Sequence, residues 1–364
     1  MPSWYQNKAV KLKTQYEPAL DGIRGLAVLS VMVFHAVPTV VSGGFLGVDI
    51  FFALSGYLIT GLMLAEYEKT GELNFWRFFG KRCCRLMPAL LLMLVVYGLV
   101  IWLFKSSATL KNQGVDILVA LLYVTNWARV VNLNQATDLG HTWSLGVEAQ
   151  FYLVWPFILL WLLRYFGIKP RLLLAVCGLA GASYAVRYWL GHQGVDVSRV
   201  YNGSDTRAET LMWGAALAVL MKITPSMQVR VGQTNMIWQT IFAWLSLATL
   251  LVMIFKMQWV SSFYYQVGIT GVALLSLFLI WYLHLYANTL LSQVFENKFL
   301  VWVGTISYGL YVWHFPIYQM VISWGFEDWY LLAVGLVATF AAAAISFYGL
   351  ERPVLNWYKE RYVT

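Results

Sequence analysis

Charge is what this sequence has least of. Asp, Glu, Lys and Arg make up 12% of its 364 residues, about half the usual share of a soluble domain. With 60% of the chain hydrophobic, too little polar surface remains to cover a water-soluble body. Cysteine is scarce as well. Cys83 and Cys84 are adjacent and Cys177 stands alone in an apolar run, which offers neither a disulfide framework nor metal-ligand spacing. They read as small packing residues and ordinary thiols. No internal repeat, no Pro- or Ser-rich linker and no soluble appendage is visible, and neither a Walker nor a dinucleotide glycine loop occurs. What is left is an all-α polytopic membrane chain, expected to form one domain over 1–364, with an N-tail 1–19, a core 20–352 and a C-tail 353–364.

Aromatic residues are abundant at 17%, with 18 Trp and 22 Tyr, rings that collect where helices cross the headgroup region. Apolar runs long enough to cross a ~30 Å hydrocarbon core fall at 20–41, 45–66, 86–104, 142–163, 171–190, 208–222, 237–256, 262–284, 299–322 and 329–350. The run 208–222 is short. The stretch 115–128 is shorter still and carries Asp116, Thr125 and Asn126, so it is expected to be re-entrant or interfacial rather than a crossing.

The net charge of +8 falls in clusters between apolar runs, which suits topology determinants and not a nucleic-acid footprint. Lys8, Lys11 and Lys13 precede the first run, and no clean small-residue cleavage site follows it, so this run reads as a retained span. The basic loops 67–85, 164–171 and 222–230 and the C-terminal tail alternate correctly only if 115–128 does not cross. Both termini are then cytoplasmic. The outward loops still hold Lys105, Lys111, Arg129 and Arg199.

An ionisable group at mid-membrane costs at least ~2.5 kcal/mol on insertion scales, so each one inside a span is a functional suspect. Arg24 and His35 share the first span, eleven positions apart, which puts both on one side of a helix about 16 Å apart along its axis. His35 is the leading general base, because imidazole titrates near ~6.5. The bland alternative is a snorkelling Arg and a His satisfied by a backbone carbonyl. Arg82 and Arg85, in the basic run before Pro88, suit phosphate oxygens of a donor such as coenzyme A, or equally a positive-inside anchor or lipid contact. The segment His141 to Tyr152 offers Trp143 as a sugar-stacking ring, the Glu148 carboxylate and the Tyr152 phenol, the inventory that a carbohydrate hydroxyl needs, or else an aromatic belt with a capping Glu. Asp205 and Arg207 form a second outward cluster, where helix capping explains part of the pattern. His314 stands two residues before Pro316, with structural and substrate-binding roles both open. Ser55 in Ala53 to Tyr57 is no nucleophile elbow, since the first glycine is missing, and helix packing is its expected duty.

Taken together these residues resemble the membrane acyltransferase-3 family, which includes O-antigen and peptidoglycan O-acetyltransferases. The resemblance runs in order through Leu20-Asp21-Gly22-Ile23-Arg24-Gly25, the spacing to His35, Gly43 to Phe52, Leu54 to Ile59, Arg82/Arg85, Trp143-Ser144-Leu145 with Glu148, Asp205-Thr206-Arg207, Ser307 to Pro316 and Glu351-Arg352-Pro353. It implies ten core spans, an acyl-coenzyme A (acetyl-CoA) donor on the cytoplasmic side and an extracytoplasmic glycan acceptor such as O-antigen, with no metal. It also implies catalytic roles for Arg24 and His35 and donor binding by Arg82 and Arg85. Glu148 and Asp205 join the catalytic candidates, and Trp143, Tyr152, Arg207 and His314 those for substrate. An eleventh span and the SGNH hydrolase-like domain of longer members are missing, so transfer is expected to finish within the membrane domain.

The rival class is a transporter, because intramembrane charges also mark substrate paths, yet that class calls for paired broken helices in an internal repeat. The alternation of basic loops is directly testable. Reporter fusions after residue 170 and at the C-terminus are expected to read cytoplasmic, and an extracytoplasmic reading after residue 170 would rule out this ten-span topology.

Overall fold

A computed structural model describes residues 16–104, 107–133, 138–224 and 236–362, and among these there is no β-strand. Lys8, Lys11, Lys13, Lys105 and the 225–230 part of one basic loop lie outside them. Every expected crossing finds a helix. The first is α1 (Pro18–Ala36), started by Pro at its first turn and ended just ahead of Pro38, as expected where a proline cannot continue the ladder. Then come α2 (Gly47–Thr70), closed by Gly71 in the left-handed region, and α3 (Phe75–Phe104). At 30 residues, α3 is about 45 Å long, so its basic first turns stand beyond the ~30 Å apolar layer.

α4 (Ser107–Leu121) and the short α5 (Thr125–Val130) follow. α6 (Trp143–Phe166), α7 (Pro170–His192), α8 (Val197–Asn202) and α9 (Ser204–Ile223) lead to α10 (Met236–Lys256) and α11 (Ile269–Leu285). The chain closes with α12 (Leu290–Phe295), α13 (Lys298–Thr305), α14 (Ser307–Ser323), α15 (Asp328–Ser346) and α16 (Arg352–Tyr362). Among the described residues, eight helical stretches are long and apolar enough to cross a membrane by themselves. The two other expected crossings depart for visible reasons. α9 carries Asp205, Arg207 and Glu209 in its first turns, and the run 299–322 is split between α13 and α14 at Ile306.

The 115–128 stretch is divided between two short helices. α4 and α5 meet at a turn where Tyr123 adopts φ 55°. The Gln150 side-chain amide, two turns inside α6, donates to the Tyr123 carbonyl at 2.9 Å. The Tyr123 hydroxyl reaches Met87 Sδ at 3.8 Å on α3. Backbone this deep is tolerated in a membrane protein only where protein satisfies it.

Glycine sets the closest helix crossings. A Cβ on Gly304 of α13 would lie 1.8 Å from the Asp21 carbonyl oxygen of α1, and one on Gly25 would lie 2.4 Å from that of Leu300. Between α2 and α9, a Cβ on Gly56 would fall 1.9 Å from the Leu211 carbonyl and one on Gly214 would fall 2.2 Å from that of Ala53. Helices in lipid gain their association from such close backbone approach. These contacts bring the faces of α1 and α2 against their partners and fix the direction in which Arg24, His35 and Ser55 point.

Each of these glycines faces backbone that cannot move aside, so Gly304→Ala and Gly56→Ala should each cost about 1–3 kcal/mol as overpacked positions. Gly178 on α7 has open space around its Cβ position, and Gly178→Ala should be neutral or slightly stabilising. Thermal unfolding of the purified chain in detergent separates the cases. Equal midpoints for Gly304→Ala and Gly178→Ala would refute the close-packing account.

Candidate active site

His35 lies in the last turn of α1 and is partly buried. Its Nδ1 sits 3.2 Å from Nε2 of His314 on α14, a residue with no exposed surface. A third ring joins them. His141, in the 3-10 turn Gly140–Thr142 that leads into α6, has its ring centroid 5.2 Å from that of His314. Phe315 wedges the cluster, edge-on to His35 at 5.0 Å and stacked on His141 at 5.2 Å. Local helix chemistry explains part of this arrangement. Pro316 has no N–H, so the carbonyl four residues back, that of Val312, loses its helical partner. His141 Nε2 takes up that carbonyl at 3.1 Å.

A cavity of about 280 Å³ collects the other candidates. Arg24, Arg82 and Arg85 line it from α1 and α3, and Glu148 and Tyr152 line it from α6. Arg24 also holds Asp21 at 2.7 Å. The Arg82 guanidinium lies 5.4 Å over the Tyr152 ring. Ser55 and Tyr152 both donate their hydroxyls to Glu148 Oε1. Ser55 is therefore more than a packing residue, since its hydroxyl faces the cavity as part of a polar trio. The far end of the cavity is lined by Ser144 and Tyr311. The Tyr311 hydroxyl bonds the His141 carbonyl at 2.9 Å and Ser144 Oγ at 2.5 Å, so this end abuts the histidine cluster. At the near end a larger cavity of about 840 Å³ shares Arg24 and Arg85 and adds Lys222, Arg352 and Lys359. The two cavities share a positively lined wall, and His35, His141 and His314 line neither of them.

Three sequence candidates lie elsewhere. Asp205 is paired to Arg199 through both carboxylate oxygens, at 2.5 and 2.8 Å, and lines neither cavity. Its place at the start of α9 is where a carboxylate stabilises a helix end, so the ion pair occupies the group expected to be catalytic. Arg207 is fully buried and bonds Asp49 at 2.6 Å, with its guanidinium packed among the rings of Phe52, Trp143 and Tyr201. Trp143 accordingly stacks inside the bundle, against Tyr201 at 4.5 Å, and not in the cavity where a sugar would meet it. A second fully buried pair joins Arg187 of α7 to Glu209 at 2.5 Å. One π-turn, Tyr264–Gly268, tends both pairs. The Tyr264 hydroxyl donates to Asp49 at 2.7 Å, and the Tyr265 carbonyl accepts from Arg187.

The sequence reading passed over His141, Ser144, Tyr311 and the Arg187–Glu209 pair. Signals for some of them were present. His141 directly precedes Thr142-Trp143-Ser144, and Arg187 and Glu209 are intramembrane charges that had to find partners.

Breaking a buried pair strands a charge. Arg207→Met or Asp49→Ala should each cost about 3–5 kcal/mol, whereas an Asp49→Leu/Arg207→Met double variant should recover much of the loss. Asp205→Asn, at a partly exposed pair, should cost no more than about 1 kcal/mol. Thermal unfolding in detergent is the measurement, and similar losses for Arg207→Met and Asp205→Asn would contradict the burial argument.

Comparison with known proteins adds the following. The family described as Acyltransferase domain matches residues 17–348. A peptidoglycan O-acetyltransferase, OatA, of Listeria monocytogenes is 34% identical over 97% of this chain and 58% of its own length. The O-acetyltransferase OatA of Staphylococcus aureus strain NCTC 8325 is 32% identical over 93% of this chain and 57% of its own. An inferred O-acetyltransferase of Staphylococcus aureus strain MSSA476 is 34% identical over 95% and 59%. The chain thus spans a little under three fifths of the curated relatives it matches. No solved structure matches it.

Proposed function

The chain belongs to the acyltransferase family matched over residues 17–348, and from that premise we propose that it is a multi-pass O-acyltransferase of the inner (plasma) membrane. It moves an acetyl group from cytoplasmic acyl-coenzyme A to a hydroxyl of an extracytoplasmic cell-surface glycan. The observation that carries this reading is the pair of cavities that share Arg24 and Arg85 and are lined also by Arg82, Lys222, Arg352 and Lys359, the narrower one walled by Tyr311, whose hydroxyl bonds the His141 backbone. Their cations outnumber Glu17, Asp21 and Glu148, the acids in the same walls. A wall of that kind suits the phosphates of coenzyme A, which Arg forks hold bidentately. The thioester then points along the narrower cavity toward Tyr311 and the histidines.

In the transfer itself His35 takes the proton of the acceptor hydroxyl. The oxygen attacks the thioester carbonyl, the C–O bond forms and the C–S bond breaks, and coenzyme A leaves as a thiol with the proton that His35 returns. Arg24 stands in the cavity wall, where its guanidinium can steady the carbonyl oxygen as it gains charge. Tyr152 and Glu148 lie beside Arg82, so they serve the donor end of the path rather than the sugar. Peptidoglycan is the acceptor to examine first, because the Listeria relative is named for it.

The test uses a strain deleted for this chain, complemented with variants, and reads glycan O-acetylation by mass spectrometry. His35→Ala and His35→Gln should both insert normally and lose at least the ~10²-fold typical of removing a general base. Gln keeps size and hydrogen bonding without basicity, so near wild-type O-acetylation by His35→Gln would make His35 structural. With purified protein, Arg82→Ala and Arg85→Ala should weaken acetyl-coenzyme A binding by ~1–3 kcal/mol. Unchanged affinity in both would reassign the pair to membrane topology.

A further inference from the structure

We propose that His314 is a positioning residue that locks His35 in the tautomer whose Nε2 is free to act as base, and is not a substrate contact. This rests on the reading of His35 as the base. His314 Nδ1 lies 2.6 Å from the Tyr311 carbonyl oxygen. A carbonyl only accepts, so this nitrogen carries the proton and, in the neutral ring, Nε2 holds a lone pair. That lone pair faces His35 Nδ1 at 3.2 Å. The His35 ring also donates to the Val31 carbonyl, so with Nδ1 as the N–H that serves both acceptors, the remaining nitrogen, Nε2, is the basic one.

The chain ends at His314. Its Nδ1–H is held by a backbone carbonyl, which cannot take the proton onward, so His314 orients His35 and stabilises the imidazolium without becoming a relay. His141 does not share this duty. Its Nε2 is spent on the Val312 carbonyl, and its Nδ1 is buried without a partner, so it bonds neither of the other rings. Nor is the cluster arranged as a metal centre, since no group of three or more His, Cys, Asp or Glu side chains among the described residues could hold an ion. His314 has no exposed surface and sits between Tyr311 and Tyr318, with ring centroids 5.4 and 5.8 Å away. That enclosure suits a ring whose work is done against another side chain better than one that meets a sugar.

The length of an amide side chain tests this. Gln at 314 places its amide near the position of the far ring nitrogen and can accept from His35. Asn stops one methylene short, reaching only the place of Nδ1, so it can serve the Tyr311 carbonyl and not His35. In the complemented deletion strain, incorporation of labelled acetate into the cell envelope should fall at least about 10-fold for His314→Asn, the lower end of the loss seen when the partner that orients a metal-bound histidine is removed. His314→Gln should restore most of it. Purified His314→Asn should bind acetyl-coenzyme A as the parent does, because the donor wall is untouched. Protein abundance and thermal unfolding normalise the comparison, and His314→Phe, similar in shape but without an acceptor, replaces His314→Asn if that variant fails to insert.

With His35→Ala inactive, wild-type incorporation by the acceptor-less variant overturns the proposal. So does loss in His314→Gln equal to that in His314→Asn. An active His35→Ala overturns the underlying reading of His35 instead, and is distinguished by that variant alone.

Discussion

An unpaired charge cannot rest in an apolar bundle. Every ionisable side chain that enters must find an opposite charge, a dense set of hydrogen bonds or water. Asp49 with Arg207 and Arg187 with Glu209 take the first course, and both pairs are anchored on α9. That helix is too polar to pass as a free-standing span, and it is held inside the bundle by the partners of its charges and by the glycine contact with α2. Arg82 and Arg85 take the other course. They have no carboxylate partner within ion-pair distance among the described residues and instead line a cavity. Stability and function are thereby sorted by the same rule. Charges that are matched hold helices together, and charges left over mark the place where a ligand supplies what is missing.

The sequence was most readable where periodicity and composition speak. Ten apolar runs correspond to helices, and the polar interruptions of 115–128 mark the break between α4 and α5. Arg24 lines both cavities while His35 meets His314, and Arg82 with Arg85 share the narrower cavity's wall with Arg24. Readability ended where long-range pairing decides. Asp205 and Arg207 are two residues apart on one helix, yet the first pairs at the rim with Arg199 and the second in the core with Asp49. Nothing local separates those fates. Trp143 looked like a ring free to stack on a sugar because the approach of Arg207 and Tyr201 from distant segments cannot be read from its neighbours. His141 hid for a related reason, since its partner is a carbonyl released by a proline 175 positions away.

The cavity also joins polar groups that belong to different parts of the chain. Ser55 comes from α2, Arg82 and Arg85 from α3, Glu148 and Tyr152 from α6, and Tyr311 from α14. No single helix supplies a working set, so the angles between helices matter as much as the residues themselves. Those angles are held at backbone-to-backbone crossings, where Gly25 and Gly304 seat α1 on α13 and Gly56 and Gly214 seat α2 on α9. Close approach in lipid gives rigid seating because little side-chain freedom is left at the contact.

The π-turn at Tyr264–Gly268 carries one more consequence. A π-turn holds one residue more than the α-helical turn it replaces, and here the extra residue lets two consecutive tyrosines serve two buried charges on opposite flanks, Tyr264 on Asp49 and Tyr265 on Arg187. A deletion of a single codon in this turn would regularise the helix and improve its internal hydrogen bonding. It would also redirect the Tyr264 hydroxyl and the Tyr265 carbonyl, withdrawing support from both ion pairs at once. The local irregularity is therefore shielded from its own repair, and in this segment length is under tighter constraint than residue identity.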